Sequence, residues 1–237
     1  YGPGTDPQDS ETPPFFRSLP VATDIIGDEQ VLSPFDDYEA IIRRHTVIAR
    51  GDCVCRADAR AHDTACEHAE KFKSTEILTG EEAEYYIENG IGWPITQEEA
   101  LQVLHDAIDA GLVIQVTYSK ASEIFCCCCG DSCKMLNMVK ATASSGGRAM
   151  TYYSHYNLEH DKDACIKCGM CVTRCNLDAI TYDEDGFPVT GPTCVRCGQC
   201  ATTCPGEARK LFKIEDCPEL PDTLVDTDLN KAIERMQ

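Results

Sequence analysis

Between positions 96 and 111 apolar and polar residues follow one another at helical spacing. Thr96-Gln97-Glu98-Glu99 opens the run as a capping box, in which the Thr hydroxyl and the Glu carboxylate each serve a backbone N–H of the other residue. Ala100, Leu101, Val103, Leu104, Ala107 and Ile108 then share a buried side, and Gly111 stops the helix. Residues 112–118, Leu-Val-Ile-Gln-Val-Thr-Tyr, read as a strand. Upstream, Ser33-Pro34 followed by Asp36 and Asp37 predicts a helix start: a cap, a proline in the first turn, and acids at the positive end of the dipole. Ile41 and Ile42 give that helix an apolar side through about Arg44. Val47, Ile48 and Ala49 run extended into Gly51-Asp52-Cys53-Val54-Cys55, where alternate residues of an extended chain would point to opposite sides unless the chain turns. A further helix fits 80–89, with Gly90 as its left-handed stop. Near the far end, 179–182 and 187–189 flank Asp183-Glu184-Asp185-Gly186 as a hairpin with an Asp-Gly turn, and 208–214 close with a strand carrying Leu211, Phe212 and Ile214. The pattern predicts an α+β chain.

Composition divides the chain. Residues 1–30 form an arm whose first part is rich in Pro, Gly, Asp and Ser, expected to be extended and ordered on a partner. Residues 31–150 form a cysteine-rich domain ending in the linker-like 141–150, Ala-Thr-Ala-Ser-Ser-Gly-Gly-Arg-Ala-Met. Residues 151–217 form a second cysteine-rich domain, and 218–237 a tail with a short helix from Asp228 onward. A chain that starts at Tyr1 is expected to have lost residues upstream. The helix–Gly–strand unit at 96–118 resembles half of a winged helix. Almost no basic residues lie between Ser74 and Lys120, which favours a packing module over a reader of DNA.

The chemistry is carried by thiols. The chain holds 17 cysteines. Cys165, Cys168, Cys171 and Cys175 have C-x2-C-x2-C-x3-C spacing, and Cys194, Cys197, Cys200 and Cys204 repeat it 29 residues later (194 − 165 and 204 − 175). A repeat of ligand spacing is a strong signal. Three closely spaced cysteines on a tight loop can reach three iron corners of a cubane, and the short gaps turn backbone N–H groups toward the cluster sulfurs. Gly169 and Gly198, each directly after a middle cysteine, allow close approach or positive φ. Zinc ribbons space their cysteines in pairs, and disulfide frameworks belong to short secreted chains, so both fit this spacing poorly.

Residues 160–215 resemble the bacterial two-cluster ferredoxin. In that family the fourth cysteine of each run ligates the other cluster. The resemblance therefore implies one [4Fe–4S] cluster on Cys165, Cys168, Cys171 and Cys204, and a second on Cys194, Cys197, Cys200 and Cys175. It implies a ferredoxin-like domain of pseudo-twofold symmetry. The family run ends in Cys-Pro; Cys204-Pro205 keeps that ending, whereas the first copy has Cys175-Asn176.

The N-terminal half resembles a cysteine-rich module seen fused to ferredoxin domains in iron–sulfur proteins of anaerobes. The matching elements are Cys53/Cys55/Arg56, Cys66, Glu98 to Ala100 with Gly111 to Val113, and Cys126/Cys128/Cys129. Where that module continues with adjacent cysteines, this chain has Gly130-Asp131-Ser132-Cys133. Cys53, Cys55, Cys66, Cys126, Cys128, Cys129 and Cys133 are thus candidates for a third cluster. The alternative is zinc held by some of Cys53, Cys55 and Cys66 with His62 or His68. Cys217 reads as a bystander.

The formal net charge of −19 sets the sign of any partner. Residues 1–159 carry 26 acids and 12 bases (−14), residues 160–217 nine and seven (−2), and the remainder five and two (−3). Such a surface repels nucleic acid and favours basic protein patches, although solubility alone would also account for it. No stretch has the length of a membrane span or the form of a secretory signal, and the thiol load suits a reducing, cytoplasmic setting. There is no nucleotide fingerprint and no nucleophile elbow, so no catalytic residue is assigned. The expected function is electron transfer by a ferredoxin-like subunit or donor of a larger anaerobic oxidoreductase, with redox proteins as partners. Two alternatives stand beside it: a redox-sensing regulator that uses the winged-helix-like unit, and a catalytic chain with an open-site cluster in its N-terminal half.

Overall fold

Successive side chains of a strand face opposite ways, and this alternation partitions the thiol-rich segment at 124–128. The computed structural model of the chain describes residues 15–22, 25–26, 32–144, 154–215, 217 and 219–223. In chain order the elements are β1 (Phe16–Ser18), β2 (Ile25–Ile26), α1 (Tyr38–Arg44), β3 (Ile48–Gly51), α2 (Val54–Ala61), α3 (His68–Lys71), β4 (Glu76–Thr79), α4 (Glu81–Glu88), β5 (Gly92–Pro94), α5 (Gln97–Asp109), β6 (Val113–Thr117), β7 (Ile124–Cys128), α6 (Lys134–Ser144), β8 (Tyr156–His160), α7 (Met170–Arg174), β9 (Ile180–Tyr182), β10 (Pro188–Thr190), α8 (Gln199–Thr202) and β11 (Arg209–Lys213). The architecture is mixed, with eight helices and eleven strands among the described residues.

Six strands form one antiparallel sheet in the order β1-β6-β7-β4-β3-β5. One face carries Ile48, Ile77, Ile114, Val116, Phe125 and Cys127, against which α1 and α5 bury Ile41, Ile42, Leu101 and Leu104. Each such side chain contributes roughly 1.5–3 kcal/mol by leaving water. From the other face Val113 and Cys128 join Leu136 and Val139 of α6 with Leu177, Ala179 and Val195 of the C-terminal part. The two cysteine-rich regions therefore share a hydrophobic core.

The C-terminal part is two interleaved halves. β8 pairs with β11, and β9 pairs with β10, so a hairpin from mid-segment lies between the first and last strands in sequence. β2 adds to β11 in parallel.

Three local expectations are corrected. The cap of α1 is Asp37, whose carboxylate accepts from the N–H groups of Glu39 and Ala40; Ser33 instead starts the turn before it, its carbonyl accepting from Asp36 and Asp37. Cys53 and Cys55 do not lie on an extended strand. The chain turns at Cys53, which caps α2, and Cys55 is in its first turn. Residues 16–18 of the arm pair with the chain's own sheet as edge strand β1 and bury Leu19 behind it. Most of the expected linker (145–150) and the expected helix from Asp228 lie outside the described residues.

Candidate metal centre

The 29-residue repeat extends from sequence into backbone. Gly169 and Gly198 both take positive φ, +76° and +81°. So do Lys167 and Arg196 at 56°, and Asp178 and Glu207 at 52° and 49°; each pair is 29 apart (196 − 167, 207 − 178). Left-handed φ is uncommon without glycine, so its recurrence at matched places marks two copies of one loop. The short helices α7 and α8 start one residue after the paired glycines. Ala179 N–H donates to Cys175 Sγ and Ala208 N–H to Cys204 Sγ, both at 3.3 Å, again 29 apart.

Cys175 of the first copy meets three cysteines of the second. Cys175, Cys194, Cys197 and Cys200 line one cavity of about 410 Å³, open mouth included, whose walls include Leu177, Ile180 and Val195. The Cys197 sulfur has those of Cys200, Cys194 and Cys175 as neighbours. Arg196 N–H donates to Cys194 Sγ at 3.4 Å. A Cβ on Gly198 would stand 2.9 Å from Leu211, so the loop fits only with glycine at that point. Burial pushes the thiols of Cys194 and Cys197 upward and that of Cys200 up to about 12. Such sulfurs stay protonated at neutral pH until a cation replaces the proton. Four thiols, a dry lining and N–H donors to sulfur make a donor set that fits a thiolate-ligated iron–sulfur cubane.

Cys165, Cys168, Cys171 and Cys204 occupy the repeat-related positions. Gly206 backs onto the Ala164 carbonyl, where a Cβ would stand 2.7 Å away, so the segment after Cys204 lies against the segment before Cys165. Cys171 is buried, and burial raises its thiol; Cys168 is exposed.

The N-terminal thiols form a second nest across the end of β7. The thiols of Cys53, Cys55, Cys133, Cys128 and Cys126 follow one another as neighbours, each perturbing the next. Cys66 Sγ lies 3.3 Å from Cys129 Sγ. Cys127 points to the opposite core, among Ile114 and Phe125. The neighbouring thiols of Cys128 and Cys55 pull the Cys133 thiol down despite its burial, and Cys128 Sγ donates to Gln115 Oε1 at 3.3 Å. Arg56, 1% exposed, closes the nest. Its Nη1 donates to Phe72 O and Thr75 Oγ1, both at 2.9 Å, and its Nη2 to Cys127 O at 2.7 Å and Cys129 Sγ at 3.7 Å. Burial works to lower the guanidinium, yet the sulfurs of Cys129, Cys53 and Cys128 outweigh it and hold it above its ordinary value. Sequence reasoning named Arg56 only as part of a motif; two preceding cysteines at C-x-C were its signal.

Among the described residues no group of three or more His, Cys, Asp or Glu is placed to hold a single metal ion. His62 bonds the Asp58 carbonyl at 2.9 Å, and His68 lies against Phe72 and Glu67.

Side chains of the C-terminal part join the two regions by donating to carbonyls at the end of α5 and just beyond it. Arg174 donates to Asp109 O at 2.8 Å and Ile108 O at 2.6 Å, and Gln199 to Ile108 O and Leu112 O at 3.1 and 2.8 Å. Asn176 Nδ2 donates to Gly111 O. A helix C-terminus carries partial negative charge and orphan acceptors, so an arginine there is favourable twice over. Asn176, the departure from Cys-Pro, thus has a structural task that proline lacks the donor to perform. Cys126, Cys175, Cys194 and Cys197 pack around the same apolar cluster as Cys128 and Cys133, so both nests abut one dry layer.

The chain matches no family model, and no curated protein is found to be similar to it. No helix among the described residues is long and apolar enough to cross a membrane.

Proposed function

We propose that the chain is an electron-transfer iron–sulfur protein, a subunit or donor of a larger oxidoreductase, working in a reducing compartment. The observation that carries this reading is the meeting of Cys175 with Cys194, Cys197 and Cys200 around one cavity, within a loop repeated in sequence and in backbone torsion. Bound there and at the repeat-related set, two [4Fe–4S] clusters would each store and pass a single electron. The residues' own contribution is to hold thiolates in a rigid frame, to supply N–H groups to sulfur, and to exclude water with Leu177, Ile180 and Val195. No bond of a substrate is made or broken in this reading.

A third cluster in the N-terminal nest, drawing on Cys53, Cys55, Cys66, Cys126, Cys128, Cys129 and Cys133, extends the relay. A buried guanidinium beside sulfur supports it, since Arg56 needs anionic company. The shared apolar layer of Val113, Leu177 and Val195 would separate this centre from the one on Cys175 and Cys194.

The test is anaerobic purification with iron and sulfide counting, and EPR of the dithionite-reduced protein. About twelve irons per chain are expected; about eight would remove the N-terminal cluster, and a colourless zinc-only or cystine-bearing protein would sink the reading altogether.

A further inference from the structure

The two copies of the loop differ at one buried position. The 29-residue offset pairs Ile180, which opens β9, with Arg209, which opens β11 (209 − 180). Ile180 is 4% exposed and packs with Cys171 and Cys200. Arg209 is 2% exposed. Its Nη1 donates to Thr190 Oγ1 and its Nη2 to Pro188 O, both at 2.9 Å, while Nε has no partner. Thr190, which holds the guanidinium, pairs with Ile180 across the hairpin, so the cation is anchored beside the cluster of Ile180, Cys171 and Cys200, and its charge acts on both sulfurs. One belongs to each repeat, and on the cross-ligated reading one belongs to each cluster.

No carboxylate among the described residues forms an ion pair with Arg209. The contrast is Arg17, equally buried, which has Asp36. An arginine does not lose its proton in a protein, so a buried one requires a counter-charge. The sulfurs on which its charge acts, those of Cys171, Cys194 and Cys200, are groups that can carry negative charge. The hairpin β9–β10 pins the guanidinium through Thr190 and Pro188, so its position is fixed rather than chosen by solvent.

We infer that Arg209 is a positioning and tuning residue for both clusters, a fixed cation between their cages that favours their reduced forms. The inference rests on the electron-transfer reading above. Reduction adds one electron to each cluster and breaks no bond, so the reduced state carries the extra negative charge and gains more from a nearby cation. The chain as a whole is acidic, which works the other way; a buried charge is far less screened than surface carboxylates.

The experiment is an anaerobic redox titration of the full chain followed by EPR, with dithionite as the electron source. Wild type is compared with Arg209→Gln, Arg209→Lys, Arg209→Ile and the surface control Lys210→Gln. Iron and sulfide are counted on each. At a fixed ambient potential Arg209→Gln and Arg209→Ile are expected to lower the reduced-to-oxidised ratio of both clusters by about tenfold or more, a downward shift of about 59 mV per tenfold for one electron. Arg209→Lys should recover most of that ratio, and Lys210→Gln should stay within about twofold of wild type, as screening at an exposed site requires. Fully loaded Gln and Lys variants that titrate alike would overturn the inference. So would neutral variants that retain no iron, which would make Arg209 a prop of the hairpins instead. Absence of iron from wild type would instead defeat the electron-transfer reading itself, so the two failures are told apart.

Discussion

The carbonyl oxygen of Asn176 occupies the place where a side chain at Gly130 would begin: a Cβ there would stand 1.8 Å from it. Gly130 follows the cysteine run 126–129, and Asn176 follows Cys175, so the two cysteine-rich regions meet here backbone to backbone beside thiols of both. Gly130→Ala should therefore force the regions apart. A loss of roughly 1–3 kcal/mol is expected for such overpacking. For a chain of this size that is about 2–4 °C in Tm for each kcal/mol. Calorimetry of the iron-loaded protein checks it, and an unchanged Tm would show that the regions do not meet here.

Cys127 is a buried thiol and Cys197 a half-buried one, and their surroundings are opposite. Cys197 shares a cavity with three other cysteines, while Cys127 packs among aliphatic and aromatic side chains. Cys197→Ser is expected to lose about four irons per chain. Cys127→Ser should keep them all and lose only stability. Equal iron contents in the two variants would contradict the assignment.

Arg56→Met removes the cation of the N-terminal nest while retaining much of its bulk. The expected outcome is loss of the iron beyond about eight per chain, with the remaining eight unaffected. Loss of iron from the C-terminal part as well would mean that Arg56 supports the whole molecule and not its own nest.

Arg174 caps α5 from across the interface. Arg174→Ala leaves the Ile108 and Asp109 carbonyls short of a charged donor, at roughly 1.5–3 kcal/mol for a hydrogen bond to a charged group. Chemical denaturation should show this as a lower midpoint. Hydrogen exchange should quicken first in the last turn of α5.

Burial raises the Glu76 carboxyl to about 7. Its folded value lies above its unfolded one, so the native state holds the extra proton between them. Stability from this group is present below about pH 4 and is lost as pH rises toward and through 7. Glu76→Gln should thus flatten that decline and make the variant the more stable form at pH 8. A variant whose stability falls with pH as steeply as wild type would rule Glu76 out as the source.

How far the sequence spoke depends on the range of the interaction involved. The cysteine sets were legible because ligand spacing on a tight loop is a local property. Thr96 and Glu99 form the expected capping box for the same reason. Ser33 was a plausible cap and Asp37 the actual one, because both residue types accept from N–H groups and only the packing of Ile41 and Ile42 decides between them. Cys53 and Cys55 look like strand neighbours in a string; the helix that brings them together is held by Arg56 reaching Cys127, more than seventy residues away (127 − 56). Asn176 could be flagged as a departure, but its partner Gly111 could not be named from spacing. Arg209 was open to anyone who extended the 29-residue comparison past the cysteines to Ile180.

The matched left-handed residues have a consequence for assembly. Lys167, Arg196, Asp178 and Glu207 each hold a torsion that costs about 1–2 kcal/mol without glycine. Four such positions lie in the loops that present the thiols. Conformations like these persist only where something else over-determines them. The natural clamp is whatever the thiols grip, so the metal-free loops should relax first and the protein should mature by trapping, each pocket springing shut on its cargo. Protease would then read maturation directly, nicking the empty chain near residues 167 and 196 and sparing the filled one.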